Sequence, residues 1–68
     1  MKISYAREED ILTIELDASA IIDHGEHIGS LILHLSPDDR PVVLEILRAS
    51  EFLSGLVRAA MRAEPMTV

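Results

Sequence analysis

Two histidines three residues apart, each preceded by an acidic residue, are the strongest candidates for chemistry in the sequence. They are His24 and His27, in the stretch IIDHGEHIGS, and His34 follows as a third nitrogen donor. Zinc takes three or four such ligands, provided that they converge. Residues three apart in an extended strand point to opposite faces, and the two glycines of this stretch indicate a bend. The sequence therefore favours a polar bend ending in a strand, with the three histidines as weak metal candidates. We expect no metal and no other cofactor.

Catalytic residues have less support. None of Ser30, Ser36, Ser50 and Ser54 lies in a nucleophile-elbow pattern, and the three glycines do not form a phosphate-binding loop. His34 and Glu45 are expected to be diagonal neighbours on adjacent strands, which would suit a general base but is more often a structural contact. A chain of 68 residues also has little room for a pocket of several hundred cubic ångströms. We expect no catalytic residue and no enzymatic activity.

Size and composition point to a single domain that needs added stabilisation. The 68 residues are 49% hydrophobic and include no cysteine, which excludes disulfides and thiol ligands. A domain this small is only marginally stable unless a metal or a partner subunit supplements its core. We expect one folded unit over residues 1–64 and a flexible tail over 65–68.

The net charge of −6 and a pI near 4.8 disfavour nucleic acid as a partner, because phosphate binding needs clustered basic residues. The same acidity suits a small basic protein partner. Residues 1–10 lack the pattern of a secretion signal, and no apolar run reaches the roughly 20 residues of a membrane helix. The sequence therefore predicts a cytoplasmic protein that does not bind membranes.

Alternation of apolar and polar residues predicts strands in MKISYA, ILTIEL, SLILHL and the segment after the turn SPDDRP. In the last hairpin, one register places every apolar pair on the same side of the sheet. The expected pairs are Leu35 with Val42, Leu33 with Leu44, and Leu31 with Ile46. We predict an antiparallel meander of about four strands.

A change to helical spacing in RASEFLSGLVRAAMRA predicts one amphipathic helix at the carboxyl end. Ser50 is the expected N-cap, and Pro65 marks a point by which the helix has ended. The fold class is therefore α+β, with the apolar stripe of the helix packed on one face of the sheet. The stripe consists of Phe52, Leu53, Leu56, Val57, Ala60 and Met61.

The opposite face of the sheet, here called the outer face, is unusually apolar for a surface in contact with water. The residues expected there as an interface are Ile11, Thr13, Ile32, His34, Val43, Glu45 and Leu47. A single helix covers only one side, and a large exposed apolar patch usually marks a contact surface. We expect a homo-oligomer, with a dimer favoured over a monomer with scattered surface aliphatics.

Three segments carry a resemblance to a known family. KISYA, DILTIEL and LEILRAS, within residues 2 to 53, are similar to the Lys-Ile-x-Tyr, Asp-x-Leu-x-Ile-x-Leu and Glu-Ile-Leu-x-Ala-Ser motifs of the bacterial DUF2283 domains. The resemblance implies a small sheet-plus-helix domain without an established activity. Family genes often lie beside another small gene, which implies half of a two-protein, antitoxin-like module. Family members often carry glycine near Asp39 and Val43, and this chain has none there. The pair His24 and His27 has no counterpart in the family pattern.

Two functions remain open on the sequence alone. The first is a non-catalytic, self-associating interaction module, which could also serve as the acidic member of such a pair. The alternative is a metal or small-ligand site at a dimer interface around the three histidines.

Overall fold

The computed structural model describes residues 1–62, which form five strands and one helix. The strands are β1 (Lys2–Ala6), β2 (Ile11–Glu15), β3 (His24–Ile28), β4 (Leu31–Leu35) and β5 (Pro41–Leu47), and the helix is α1 (Ala49–Arg62). All the strand pairs are antiparallel. The predicted α+β class is confirmed, with five strands where the sequence predicted about four. The expected tail lies outside the described residues.

The strands are not ordered along the sheet as they are along the chain. Their order is β1-β2-β5-β4-β3, so β5 returns to lie between β2 and β4. The connection from β2 to β3 passes β5 and β4 at one end of the sheet. There Leu16 N donates to Val42 O at 2.7 Å, and Asp23 N donates to Leu35 O at 2.8 Å. The meander therefore extends over β3, β4 and β5, and the β1-β2 hairpin is joined to it through β5.

The additional strand, β3, lies in the stretch interpreted above as a polar bend. It forms a hairpin with β4, in which Ile28 is opposite Leu31 and the two residues between them make the turn. Gly29 has a φ of 56°, the left-handed value required at the first central position of a type II′ turn. The glycine marks a tight turn after the strand, and the strand itself continues through Gly25.

The predicted register of β4 and β5 is confirmed for Leu31 with Ile46 and for Leu33 with Leu44. The third expected pair is wrong, because Leu35 lies opposite Pro41. A register shift next to Leu35 leaves Val42 as an extra residue on β5, as in a β-bulge. Pro41 has no N–H to donate, so the first position of a strand beside an irregularity suits it.

The sheet has two faces of different character. Because directly paired residues share a face, the register defines an inner face that lacks charge on β1, β2, β4 and β5. Its members are Ile3, Tyr5, Leu12, Ile14, Leu31, Leu33, Leu35, Leu44 and Ile46. The core of the single chain is small, and its buried apolar residues are Leu35, Val42, Ile46 and Ala49.

The helix does not cover the inner face, and this expectation from the sequence was wrong. Among its residues only Ala49 is buried, and Phe52 is half-buried. The physical reason is the junction with β5. Only Arg48 separates the strand from the helix, so there is no length of chain to bring the helix back across the sheet. Within the described residues, no helix is both long and apolar enough to cross a membrane.

Candidate functional site

The seven residues predicted for the outer face lie together on one side of the sheet. The register pairs Ile11 with Leu47 and Thr13 with Glu45 across β2 and β5, and it pairs Ile32 with Glu45 across β4 and β5. All seven are half-buried in the single chain. The central strands β2, β5 and β4 therefore present one continuous surface, in which aliphatic side chains surround a polar centre.

The polar centre of the outer face is a hydrogen bond between His34 and Glu45. The imidazole Nε2 of His34 donates to Oε1 of Glu45, and both side chains are partly buried. His34 is directly opposite Val43, so its contact with Glu45 is the diagonal one that the register predicts. On the other side, His34 is opposite Gly25, where an added Cβ would lie 3.7 Å from His34 Nδ1.

This pair does not form a recognisable catalytic arrangement. A general base acts on a nucleophile or substrate within hydrogen-bond reach and usually within a pocket. Residues 1–62 enclose no pocket, and the hydroxyl residue closest in register, Thr13, is opposite the carboxylate of Glu45 rather than the imidazole. The geometry fits a cross-strand contact that satisfies two polar groups on an otherwise apolar surface.

His24 connects the start of β3 to the turn between β4 and β5. Its Nδ1 lies 2.8 Å from Oδ2 of Asp23, and its Nε2 lies 2.8 Å from Oδ1 of Asp39. The hydrogen bond with Asp23 raises the pKa of His24, and the bond and charge of Asp39 raise it further. Asp39 has a φ of 61°, so this aspartate adopts the left-handed conformation that glycine adopts most readily.

The structure separates the three candidate metal ligands. His24 and His27 lie on opposite faces of β3, as expected for residues three apart in a strand. His27 shares the outer face with His34 but is opposite Ile32. Among the described residues, no group of three histidine or acidic side chains is placed to hold a metal ion. The described part of one chain therefore does not provide a complete set of ligands for the alternative, a metal site at a dimer interface.

The most connected polar residue, Asp10, was missed by the sequence reasoning. Its Oδ1 accepts from Tyr5 Oη at 2.6 Å and from Ser50 N at 3.1 Å, and its Oδ2 accepts from Ser50 Oγ at 2.6 Å. Its backbone oxygen also accepts from Ala49 N at 2.9 Å. The hydrogen bonds from Ser50 and Tyr5 lower the pKa of the Asp10 carboxyl, and the bond to Asp10 raises the pKa of Tyr5.

Asp10 therefore caps α1 from outside the helix. The first N–H groups of a helix have no intrahelical acceptor, and a side-chain oxygen usually supplies one. The sequence assigned this role to Ser50, but the helix begins at Ala49 and Ser50 is a donor to Asp10. The sequence did contain a signal of this cap, because Tyr5, Asp10 and Ser50 each lie in one of the three family-like motifs.

A comparison with known families matches a segment that contains all three residues of the cap. The family model described as "Protein of unknown function (DUF2283)" matches residues 2–50, which include all three partners of the cap. No curated protein and no solved structure matches the chain. Because the match spans well over half of the sequence, the chain belongs to the DUF2283 family of proteins of unknown function.

Proposed function

We propose that the chain is a non-catalytic protein-interaction module that associates with copies of itself through the outer face of its sheet. The observation that carries this proposal is the open, largely aliphatic outer face. Four of its seven residues are aliphatic, and all seven remain half-buried in a single chain. The aliphatic members are Ile11, Ile32, Val43 and Leu47.

Two of the polar groups on this face are paired with each other, which lowers the cost of burying them. An unsatisfied polar group costs free energy when it leaves water, whereas a hydrogen-bonded one costs much less. His34 and Glu45 bond to each other within one chain. A second copy can therefore cover the face without providing new partners for these two side chains.

Binding of a small basic protein forms the second part of the proposal. Acidic residues outnumber basic ones by 12 to 6, and such an excess attracts a partner of opposite charge. In this part of the proposal, the chain is the acidic half of an antitoxin-like pair. Its cytoplasmic location remains a prediction. Co-expression with the protein encoded by the adjacent gene tests it. A stoichiometric complex that weakens with salt is expected, and no complex at low salt would contradict it.

Sedimentation equilibrium of the Thr13→Lys variant tests the outer face. Thr13 is at the centre of the face and opposite Glu45, so the new ammonium gains a carboxylate partner within the chain while it obstructs packing. We expect the mass of the assembly to fall. Gly55→Lys is the matched control, because it adds the same charge on the helix where an added side chain meets open space. An unchanged mass for Thr13→Lys would rule out the outer face.

A further inference from the structure

The apolar stripe of α1 is exposed along most of its length. The exposed fractions are 40% for Leu53, 56% for Leu56, 56% for Val57 and 80% for Met61. An amphipathic helix owes most of its stability to packing of its apolar face, since short isolated helices are marginal in water. The stripe therefore requires an apolar surface that residues 1–62 of its own chain do not provide.

The inner face of the sheet is open in the same way. Ile3 and Tyr5 are 60% and 50% exposed, and Leu12, Leu33 and Leu44 in the central strands are only half-buried. Over β1, β2, β4 and β5 this face has no charged side chain. It has the composition of a core surface without the layer that would complete the core.

The helix is held away from its own inner face by its first turn. Asp10 accepts hydrogen bonds from the backbone of both Ala49 and Ser50, and Arg48, the single residue of the junction, has a φ of 48°. Folding the helix back onto its own sheet would require breaking this cap or changing the junction. The cap therefore fixes the helix in a direction that leaves the inner face of its own sheet open.

We propose that the helix of one copy packs its stripe on the inner face of a second copy, and that the second copy does the same in return. The four strands whose inner residues carry no charge span about 14 Å, so a helix of 14 residues, about 21 Å long, reaches across all of them. A reciprocal contact of this kind closes as a two-fold dimer and leaves no stripe uncovered. The inference extends the proposed self-association to the opposite face of the sheet. Because the two contacts lie on opposite sides of the chain, using both of them stacks copies into an open assembly larger than a dimer.

Sedimentation equilibrium separates the two contacts. Val57→Lys places a charge in the middle of the stripe at a position that is 56% exposed in the single chain, so the fold of one chain tolerates it. We expect Val57→Lys to reduce the wild-type assembly to a dimer joined through the outer face and Gly55→Lys, on the opposite side of the helix, to leave its mass unchanged. A wild-type mass retained by Val57→Lys overturns the inference. A fall in mass for Thr13→Lys alone supports the outer face and overturns the exchange, whereas a fall for Val57→Lys alone supports the exchange and overturns the outer face.

Cross-linking gives a second test that does not depend on a disruptive variant. The chain has no cysteine, so Leu33→Cys and Val57→Cys each create a unique thiol. After the two single variants are mixed, re-equilibrated and treated with a short bis-maleimide, we expect peptides that join position 33 of one chain to position 57 of the other. Intrachain links are impossible in this mixture. Absence of the 33–57 link, while the sample remains oligomeric, overturns helix exchange and leaves association through the outer face in place.

Discussion

Truncation of Leu56 to alanine distinguishes a helix that covers a second copy from a helix that faces water. Full burial of a leucine side chain is worth about 1.5–3 kcal/mol. Leu56 is 56% exposed in the single chain, so somewhat more than half of that free energy, about 0.8–1.7 kcal/mol, becomes available only on association. Two equivalent helices double it to about 1.7–3.4 kcal/mol per dimer, which corresponds to a rise in Kd of about 20- to 300-fold.

The same substitution has little effect on an isolated chain. Alanine and leucine are both good helix formers, so an exposed Leu56→Ala change is expected to alter the free energy of unfolding by less than about 0.5 kcal/mol. Sedimentation equilibrium gives the Kd, and far-UV circular dichroism at a concentration where both proteins are dissociated gives the helix content. A Kd within about threefold of wild type would refute the reasoning. Ala59→Ser, outside the stripe on the same helix, is the control.

The remaining predictions concern the cap, the histidine bridge and the helical glycine. Asp10→Ala removes the acceptor for Ser50 and Tyr5 and is expected to lower the melting temperature by on the order of 5 °C. Asp10→Asn keeps an acceptor oxygen and is expected to lower the melting temperature less. Equal melting temperatures for the two variants would contradict the cap. Because its pKa is raised in the folded chain, His24 contributes stability that is fully present below its ordinary value of about 6.5 and is lost as the pH rises through the folded value. Thermal melts from pH 5 to pH 8 should show this decline in wild type and not in His24→Gln, and parallel curves would be evidence against the bridge. Gly55→Ala should increase the free energy of unfolding by about 0.5–1 kcal/mol in a urea titration, because the added methyl group meets open space and alanine is the better helix former. A decrease would mean that something packs against this side of the helix.

Strand pairing could be predicted where both partners alternate. Leucines at every second position of β4 and aliphatic residues at every second position of β5 allow only one register that keeps all of them on one face. The diagonal contact between His34 and Glu45 follows from that register. The displacement of Leu35 depends on a bulge, and nothing in the local alternation indicates one.

β3 was harder to recognise because it is an edge strand. It pairs only with β4, and two of its three inner positions carry His24 and Glu26, with Ile28 as the one aliphatic side chain. An edge strand needs fewer apolar residues, since it has less sheet around it to bury. The turn at Gly29 and Ser30 was the available signal, because Gly-Ser between two apolar residues is typical of a two-residue hairpin.

The helix shows most clearly what a single sequence leaves open. The stripe from Phe52 to Met61 correctly predicts a helix with one apolar face. Periodicity indicates that such a face is to be buried, but not whether the covering surface belongs to the same chain. That choice depends on Asp10, which is 40 residues away in sequence from the Ser50 that it binds. A cap supplied over such a distance is not visible in any local pattern.

The central claim is that one chain does not complete its own core and that another copy does. The molar mass of the wild-type protein, measured by sedimentation equilibrium across the micromolar range, tests it most directly. The account predicts at least twice the chain mass of 7.5 kDa, with dissociation only on dilution. A folded protein that stays at 7.5 kDa at every concentration would contradict it.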